Sequence, residues 1–266
     1  SDADLAVAGA GRRARGGGGS ARRAERTAVS LESAKFIQRN IPNFEILNEE
    51  ALQIIEWNAE TVLEEIGVNF VENEGALALW RAAGADVQGE RVRIPRGLAR
   101  KLCSTAPREF TQHARNPANN VEIGGSAVVF SPAYGSPFVM DLDKGRRYGT
   151  LEVFQNFIKL AYACPWLHHS GGTVCEPTDV PVNKRHLDML LAHMTLSDKP
   201  YMGSVTEPVR AEDSVEMSKI LFGADFVDQN VVMTSLININ SPLTFDSTMM
   251  GALEVYARAG QAAIIS

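Results

Sequence analysis

Apolar and polar positions follow one pattern in the first half of this chain and another in the second. In the first half, apolar side chains recur every three to four residues, the spacing of a helix face packed on a core. The elements predicted there are helices over 48–66 and 73–85, a tight hairpin over 87–94, and a third helix between Pro95 and Pro107. They predict a small α+β region, which we assign to residues 31–125.

Strands alternating with helices replace this pattern after residue 125. Short apolar runs typical of buried strands lie at 126–132, 167–175, 200–206, 231–240 and 261–266. Helical patterns separate them at 150–163, 183–196, 211–222 and 246–259. Such alternation predicts right-handed crossovers and a parallel sheet. The predicted fold class is therefore α/β, a TIM (β/α)8-type barrel, although a doubly wound sheet shows the same alternation.

The number of strands limits how complete this barrel can be. Five strands are predicted in residues 126–266, whereas a barrel of this type closes with eight. Either the sheet is open, or the sequence is the front part of a longer protein, and we favour a truncated barrel. No GxGxxG motif follows any predicted strand, which argues against a dinucleotide-binding Rossmann fold.

Charge is distributed unevenly around a net value of −6. Residues 1–30 carry six arginines against three acidic residues, so the rest of the chain is more acidic than the total suggests. This Gly/Arg-rich stretch predicts a disordered tail, either solvated or in contact with RNA. Because no aromatic residue lies between the arginines and the body is acidic, we predict no nucleic-acid partner.

Cysteine usage and hydropathy indicate the compartment. The chain has three cysteines and 45% hydrophobic residues. The cysteines form no CxxC pair, so a disulfide scaffold or a zinc ribbon is not expected. No apolar run reaches the ~18 residues of a membrane helix. We therefore predict a cytoplasmic protein with no membrane partner.

Polar side chains end the predicted strands, and in parallel α/β folds function lies at the carboxyl ends of strands. Asn238 and Asn240 share one face of their strand and precede Ser241. They either line a site or tie the loops together. Glu176 and Glu207 follow neighbouring strands as an acid/base pair, as counter-charges for a cation, or as helix caps.

Aromatic and histidine residues near the same strand ends extend the candidate site. Tyr134, Phe138 and Tyr201 are candidates for an aromatic box. His168 and His169 face opposite sides of a strand, so only one of them can enter a site. A zinc site formed by one of them with Cys175 and Glu176 matches no closed motif. We therefore predict no metal ligands.

Several long motifs resemble the trimethylamine:corrinoid methyltransferase family. They are LEEIGVNF, ALALWRAAGADVQGERVRIPRGL, GGTVCEPTDVP, KPYMGSVTEP and ININSPLTFD, within residues 40–266. The resemblance implies a TIM barrel with N-terminal additions. It also implies methyl transfer from a methylated amine to the Co(I) corrinoid of a separate carrier protein, with no covalently bound cofactor in this chain. Family members with pyrrolysine use trimethylamine, and characterised members without it use quaternary amines such as glycine betaine.

The resemblance places catalytic residues beyond Ser266 and gives the polar strand ends a role in binding the amine. Arg146 and Arg147 are candidates for holding a betaine carboxylate, or belong to a solvated turn. A homo-oligomer is expected for the full-length protein. The alternatives are a non-catalytic module that binds a cationic ligand or the carrier protein, and a metal-dependent lyase using His169, Glu176 and Glu207. The predicted substrate-binding residues are Tyr134, Phe138, His169, Glu176, Tyr201, Glu207, Asn238, Asn240 and Ser241.

Overall fold

The computed structural model describes residues 35–42, 44–240 and 242–266. Every described residue belongs to one compact unit, Ser33–Ser266. The tail predicted over residues 1–30 and the candidate site residue Ser241 lie outside the described residues.

Helices form where the apolar periodicity predicts them. The first begins after Asn48, whose side chain accepts a hydrogen bond from the Ala51 amide at 2.9 Å. It continues as a π-helical turn, Val62–Ile66, and ends at Gly67, whose φ of 76° favours glycine. The helices are α1 Glu49–Thr61, α2 Glu74–Ala83, α3 Leu98–Cys103, α4 Leu151–Ala163, α5 Val182–Leu196, α6 Pro208–Phe222, α7 Ala224–Gln229 and α8 Ser247–Arg258.

The strands are short and form several small sheets. They are β1 Ile37–Gln38, β2 Val68–Phe70, β3 Asp86–Gln88, β4 Arg91–Arg93, β5 Glu109–Gln112, β6 Val121–Gly124, β7 Ala127–Val128, β8 Phe138–Asp141, β9 Gly145–Tyr148, β10 Tyr201–Met202, β11 Met233–Ile237, β12 Thr244–Phe245 and β13 Ala262–Ile265. Antiparallel pairs join β1 to β7, β5 to β6 and β8 to β9. The hairpin predicted over 87–94 is formed by β3 and β4.

A parallel sheet of order β10–β11–β13 follows the predicted strand–helix alternation. Backbone hydrogen bonds add two further segments on its β10 side. The Ser170 amide donates to the Pro200 carbonyl at 2.7 Å, and the His168 amide donates to the Phe130 carbonyl at 2.9 Å. The segments therefore lie side by side in chain order, around residues 130, 168–170, 200–202, 233–237 and 262–265.

Two of the predicted strands differ from this expectation. The run predicted over 126–132 forms only β7, which pairs antiparallel with β1, and the strand predicted over 167–175 is wrong. Histidine side chains take up backbone donors that a ladder would use. His168 Nδ1 accepts from the Phe130 amide at 2.8 Å, and His169 Nδ1 accepts from the Gly171 amide at 2.9 Å. The segment therefore stays beside the sheet without becoming a regular strand.

The largest core lies between the parallel sheet and the helices that connect its strands. Side chains from one sheet face pack there against α5, α6 and α8, with Tyr201, Met233 and Ile237 from the sheet and Leu190, Val215 and Tyr256 from the helices. Strand alternation turns Met202, Thr234 and Leu236 to the opposite face. Burial of these side chains, at about 25 cal/mol per Å² of apolar surface, holds the sheet and helices together.

The four-stranded sheet of order β12–β2–β4–β3 joins the front of the chain to the loop after β11. β12 pairs in parallel with β2, with Thr244 opposite Asn69 and Phe245 opposite Phe70. The Phe70 and Phe245 rings stack with centroids 5.3 Å apart. The predicted α/β class is confirmed, and the described residues form a mixed structure of helices and small sheets without a closed barrel.

Candidate active site

The loops that follow the first two sheet segments run beside each other. The Gly135 amide donates to the Thr173 carbonyl at 2.7 Å, and the Glu176 amide donates to the Ser136 carbonyl at 2.9 Å. These bonds bring the two polar runs together, as expected for the carboxyl ends of neighbouring parallel segments. Together with the loops after β10 and β11 they form one end of the sheet, which we call the mouth.

Asn238 and Asn240 lie at the mouth, exposed, directly after β11. The Oδ1 atom of Asn238 accepts from the Ser266 hydroxyl at 2.6 Å, which links the ends of β11 and β13. The Nδ2 atom of Asn240 donates to Asp246 Oδ2 at 2.6 Å, and Asp246 Oδ1 caps α8 through the Met249 amide. Asn240 thus ties the loop to the helix, while the Asn238 amide nitrogen has no partner among the described residues.

Each of the two candidate glutamates is paired with an arginine. Glu176 forms an ion pair with Arg185, whose guanidinium also donates to the Val180 carbonyl at 2.9 Å. Glu207 stands at the start of α6 and pairs with Arg210 at 2.9 Å. Each carboxylate therefore already has a cationic partner in its own chain and stays partly exposed.

An aromatic cluster forms on the hairpin β8–β9, in the loop after the first sheet segment. The Phe138 and Tyr148 rings lie 4.7 Å apart between centroids. The Arg146 guanidinium lies over the Phe138 ring, 3.9 Å from its centroid. Its neighbour Arg147 is paired with Asp141 at 2.5 Å. The face of Phe138 thus already holds a cationic group, the contact that an aromatic box supplies. Tyr134 lies exposed in the same loop.

The structure does not bring Tyr201 and His169 to the open mouth. Tyr201 is buried in the core, its hydroxyl lies 2.8 Å from the Ser218 hydroxyl, and burial raises its pKa to about 12. His169 is buried as well, and its Nε2 lies 3.4 Å from the side-chain amide nitrogen of Gln112. Gln112 in turn donates to the Tyr201 carbonyl at 3.1 Å.

A buried histidine holds the loop that leads to Glu176. His193 Nε2 donates to the Gly172 carbonyl at 2.8 Å, so its Nδ1 is the acceptor for the Ser170 hydroxyl at 2.7 Å. Both contacts use the neutral ring, and burial lowers the pKa of His193 to about 4. The same loop turns at Gly171, with φ of 90°. The sequence gives no signal for the contact of His193 with Ser170, because helix spacing alone does not reveal a partner on another segment.

A buried lysine supports the neighbouring loop. The Lys199 ammonium lies within hydrogen-bond distance of four carbonyls at the end of α4 and just after it, those of Ala161, Tyr162, Cys164 and Leu167, at 2.9, 3.0, 3.0 and 2.7 Å, and its three N–H groups are shared among them. A helix end leaves its last carbonyls without amide donors, and this ammonium satisfies them. Burial lowers the pKa of Lys199 from its usual value.

The residues of the metal-dependent alternative do not come together. His169 contacts Gln112, Glu176 pairs with Arg185, and Glu207 with Arg210. In the part of the chain that the structure describes, no group of three or more His, Cys, Asp or Glu side chains is placed to hold a metal ion.

Comparison with known proteins identifies the family. A family model described as "Trimethylamine methyltransferase (MTTB)" matches residues 15–266. The chain belongs to this family. The trimethylamine methyltransferase family assignment confirms the resemblance seen in the sequence motifs, and it includes part of the stretch that precedes the described residues.

Three curated relatives of this member of the trimethylamine methyltransferase family are named for methyl transfer. The chain is 49% identical over 227 residues, 85% of its length, to a glycine betaine methyltransferase of Desulfitobacterium hafniense (strain Y51). It is 26% identical over 73% of its length to a proline betaine:corrinoid methyltransferase, and 28% identical over 68% to an L-carnitine:corrinoid methyltransferase, both of Eubacterium limosum.

The chain spans about half the length of the curated relatives it matches, between 39% and 47% of each. Along its described residues, none of the helices combines the length and apolar character needed to cross a membrane.

Proposed function

We propose that this chain is part of a methyltransferase that moves a methyl group from a quaternary amine to the corrinoid of a carrier protein. The observation that carries the proposal is the 49% identity, over 85% of the chain, to a glycine betaine methyltransferase. In the reaction, the Co(I) corrinoid is a co-substrate brought by the partner protein. The methyl carbon–nitrogen bond breaks, its electron pair stays on nitrogen, and a cobalt–carbon bond forms.

The substrate proposed for the mouth is a quaternary ammonium that also carries a carboxylate. Both betaines and carnitine, named for the relatives, have this combination of charges. A quaternary nitrogen leaves as a neutral amine and needs no activating adduct. In this proposal the ring faces of Phe138 and Tyr148 that Arg146 does not cover receive the ammonium, with Tyr134 in the same loop. Arg146, which has no carboxylate partner among the described residues, receives the substrate carboxylate.

The polar strand ends position the substrate. The Asn238 amide nitrogen supplies a donor at the mouth, and Asn240 fixes its loop through Asp246. Glu176 and Glu207 retain their proposed role in binding the amine, and Ser241 remains a candidate beside them. His169 and Tyr201 would contribute to amine binding indirectly, by supporting the residues at the mouth, since both side chains are buried. The complete protein is proposed to be a TIM barrel and a cytoplasmic homo-oligomer, with catalytic residues beyond Ser266.

Methyl transfer to free cob(I)alamin tests the reaction. We expect the complete protein that contains this chain to convert glycine betaine and cob(I)alamin into dimethylglycine and methylcob(III)alamin, with trimethylamine inactive. Transfer from trimethylamine at the same rate would contradict the quaternary-amine proposal. Binding of glycine betaine without transfer, measured by calorimetry, would instead support a non-catalytic module. Loss of activity with a chelator would favour the metal-dependent lyase.

Arg146 gives a sharper test of substrate class. Arg146→Ala is expected to weaken glycine betaine binding about 10-fold or more, because a carboxylate loses a charge-assisted partner. Tetramethylammonium, which has no carboxylate, should bind the variant as it binds the parent. Lys144→Ala, a neighbouring cation on the same hairpin, is the matched control. Equal losses for both ligands would show that Arg146 acts on the hairpin fold and not on the carboxylate.

A further inference from the structure

The segment after β10 leads to the mouth with its backbone packed against the core. The Gly203 amide donates to the Thr234 carbonyl at 2.9 Å, which continues the pairing of β10 with β11 by one residue. A Cβ atom at residue 203 would overlap the Tyr256 hydroxyl, so only glycine fits there. The close approach brings the next peptide groups within reach of side chains on the helices behind the sheet.

Both backbone groups of Ser204 bond to buried side chains of these helices. Its amide donates to Ser214 Oγ at 3.0 Å, and the Ser214 hydroxyl donates in turn to the Arg210 carbonyl at 2.8 Å. Its carbonyl accepts from the Tyr256 hydroxyl at 2.5 Å. Ser214 and Tyr256 are fully buried. Because the backbone of Ser204 is held through its amide and its carbonyl, the direction of its Cα–Cβ bond is fixed as well.

The Ser204 side chain lies on the sheet face that leads to the mouth. Tyr201 and Val205 pack in the core between the sheet and the helices, whereas Met202 lies on the opposite face. Ser204 follows Met202 by two residues and therefore shares that face. Asn238 comes directly after β11 on the neighbouring segment, next to the core residue Ile237. Ser204 and Asn238 thus belong to the same polar end of the sheet.

Hydrogen bonds from a cation lead to the Ser204 hydroxyl. Arg210 Nη1 donates to Thr206 Oγ1 at 3.0 Å. Accepting from a cation makes the Thr206 hydroxyl a stronger donor, and Ser204 Oγ lies 3.5 Å away, at the outer limit of a hydrogen bond. When Thr206 donates to Ser204, the Ser204 proton has no acceptor among the described residues. The positive charge behind this chain of hydroxyls favours a negative acceptor at its end.

A carboxylate matches the donors at this end of the sheet. The Ser204 hydroxyl and the Asn238 amide nitrogen both lack an acceptor among the described residues. A carboxylate only accepts, through two oxygens with about four lone-pair sites, so it can take these donors in addition to Arg146. We propose that the Ser204 hydroxyl contacts the carboxylate of the quaternary amine, and that Tyr256 is the positioning residue that holds Ser204 there. This inference rests on the proposed function.

Removal of the Ser204 hydroxyl tests the contact in the complete protein that contains this chain. Ser204→Ala is expected to weaken glycine betaine binding about 10-fold in calorimetry, because a hydrogen bond to a charged group is lost. Tetramethylammonium, which has no carboxylate, should bind the variant as it binds the parent. Ser104→Ala is the matched control. It removes an exposed hydroxyl that donates to the Lys101 carbonyl at 2.7 Å, at the end of α3, and should change neither affinity.

A double-mutant cycle tests the positioning role of Tyr256. Tyr256→Phe is expected to weaken glycine betaine binding about 3-fold, because Ser204 loses one of its backbone bonds, and to leave tetramethylammonium binding unchanged. In the Ser204→Ala background, Tyr256→Phe should cause no further loss, since Tyr256 acts through the Ser204 hydroxyl. A purely structural role would weaken the binding of both ligands, or add its loss to that of Ser204→Ala, and either result would overturn the positioning role.

The outcomes separate this inference from the proposed function. Equal binding of glycine betaine by Ser204→Ala and by a parent that transfers its methyl group would overturn the inference and leave the proposed function standing. A lowered melting temperature with unchanged binding would mean that the Ser204 hydroxyl bonds to another part of the complete protein, and would overturn the inference too. A parent that uses trimethylamine and does not bind glycine betaine would overturn both.

Discussion

Acid should destabilise this protein through two of its buried histidines, His169 and His193. Burial lowers the pKa of His193 to about 4 and that of His169 to about 3, from 6.5, and a charge on the His193 ring further opposes a charge on His169. An unfolded chain therefore binds protons at these positions that the folded chain does not. Their contribution to stability is complete above pH ~6.5, the pKa in the unfolded chain. It is lost as the pH falls from there to the folded pKa values of about 4 and about 3.

The size of the effect follows from the two pKa values. Each of these histidines is protonated at pH 5 in the unfolded chain but stays neutral in the folded protein. Lowering the pH from about 7 to about 5 therefore reduces the free energy of unfolding by about 2 kcal/mol for each histidine, or about 4 kcal/mol for both. Ordinary carboxyl groups titrate mostly below this window. Because a domain is stable by only about 5–15 kcal/mol, a large part of the stability should disappear by about pH 5.

Urea titrations followed by circular dichroism at about pH 7, 6 and 5 measure this slope. His193→Asn is the informative variant, because an amide can accept from Ser170 and donate to Gly172 but does not titrate in this range. It should lower stability at neutral pH yet lose only about half as much on acidification. An unfolding free energy that changes by less than about 1 kcal/mol between pH 7 and 5 in the parent would refute the reasoning.

Three further substitutions test the polar contacts of the fold. Lys199→Met should cost about 3–5 kcal/mol in urea titration, since four carbonyls lose their ammonium donor, and a cost under about 1 kcal/mol would contradict its capping role. Tyr256→Phe removes the hydroxyl that donates to the Ser204 carbonyl at 2.5 Å and should cost about 1 kcal/mol, measured by thermal melting. Asp246→Ala should cost about 1 kcal/mol and free the Asn240 side chain, which amide NMR would detect; an unchanged Asn240 side-chain signal would argue against the bond.

The helices could be predicted from sequence to within a few residues, because periodicity and caps are local. The helix predicted over 150–163 is observed as Leu151–Ala163, with Thr150 as its cap. The prediction of a strand over 167–175 was wrong, for a reason that hydrophobic periodicity cannot reveal. The side chains of His168 and His169 accept hydrogen bonds from backbone amides and replace the bonds of a strand ladder. Apolar alternation does not show that side chains compete for these amides.

The sequence predicts where the candidate site lies better than it predicts which side chains line it. Alternation correctly separates Asn238 from Ile237, which is buried in the core. It does not say which face of a two-residue strand meets the helices, and Tyr201 turned out to face them. The contact of Gln112 with the Tyr201 carbonyl joins residues 89 positions apart. Spacing of that kind leaves no periodic signal in a single sequence.

The pairing of β12 with β2 links the N-terminal part of the chain to the mouth, so that a signal from the N-terminal part can report on binding there. Asn240 and Thr244 close a turn through two backbone hydrogen bonds, at 2.8 and 3.0 Å, and the next residue, Phe245, stacks on Phe70. Phe70 in turn lies 5.8 Å from Trp80 between ring centroids. A substrate that moves the Asn240 turn should therefore shift Phe245, the Phe70 ring stacked on it, and the Trp80 indole that Phe70 contacts at a tilt of 48°. The fluorescence of Trp80 should change as the mouth fills, so that the protein carries its own optical readout of binding.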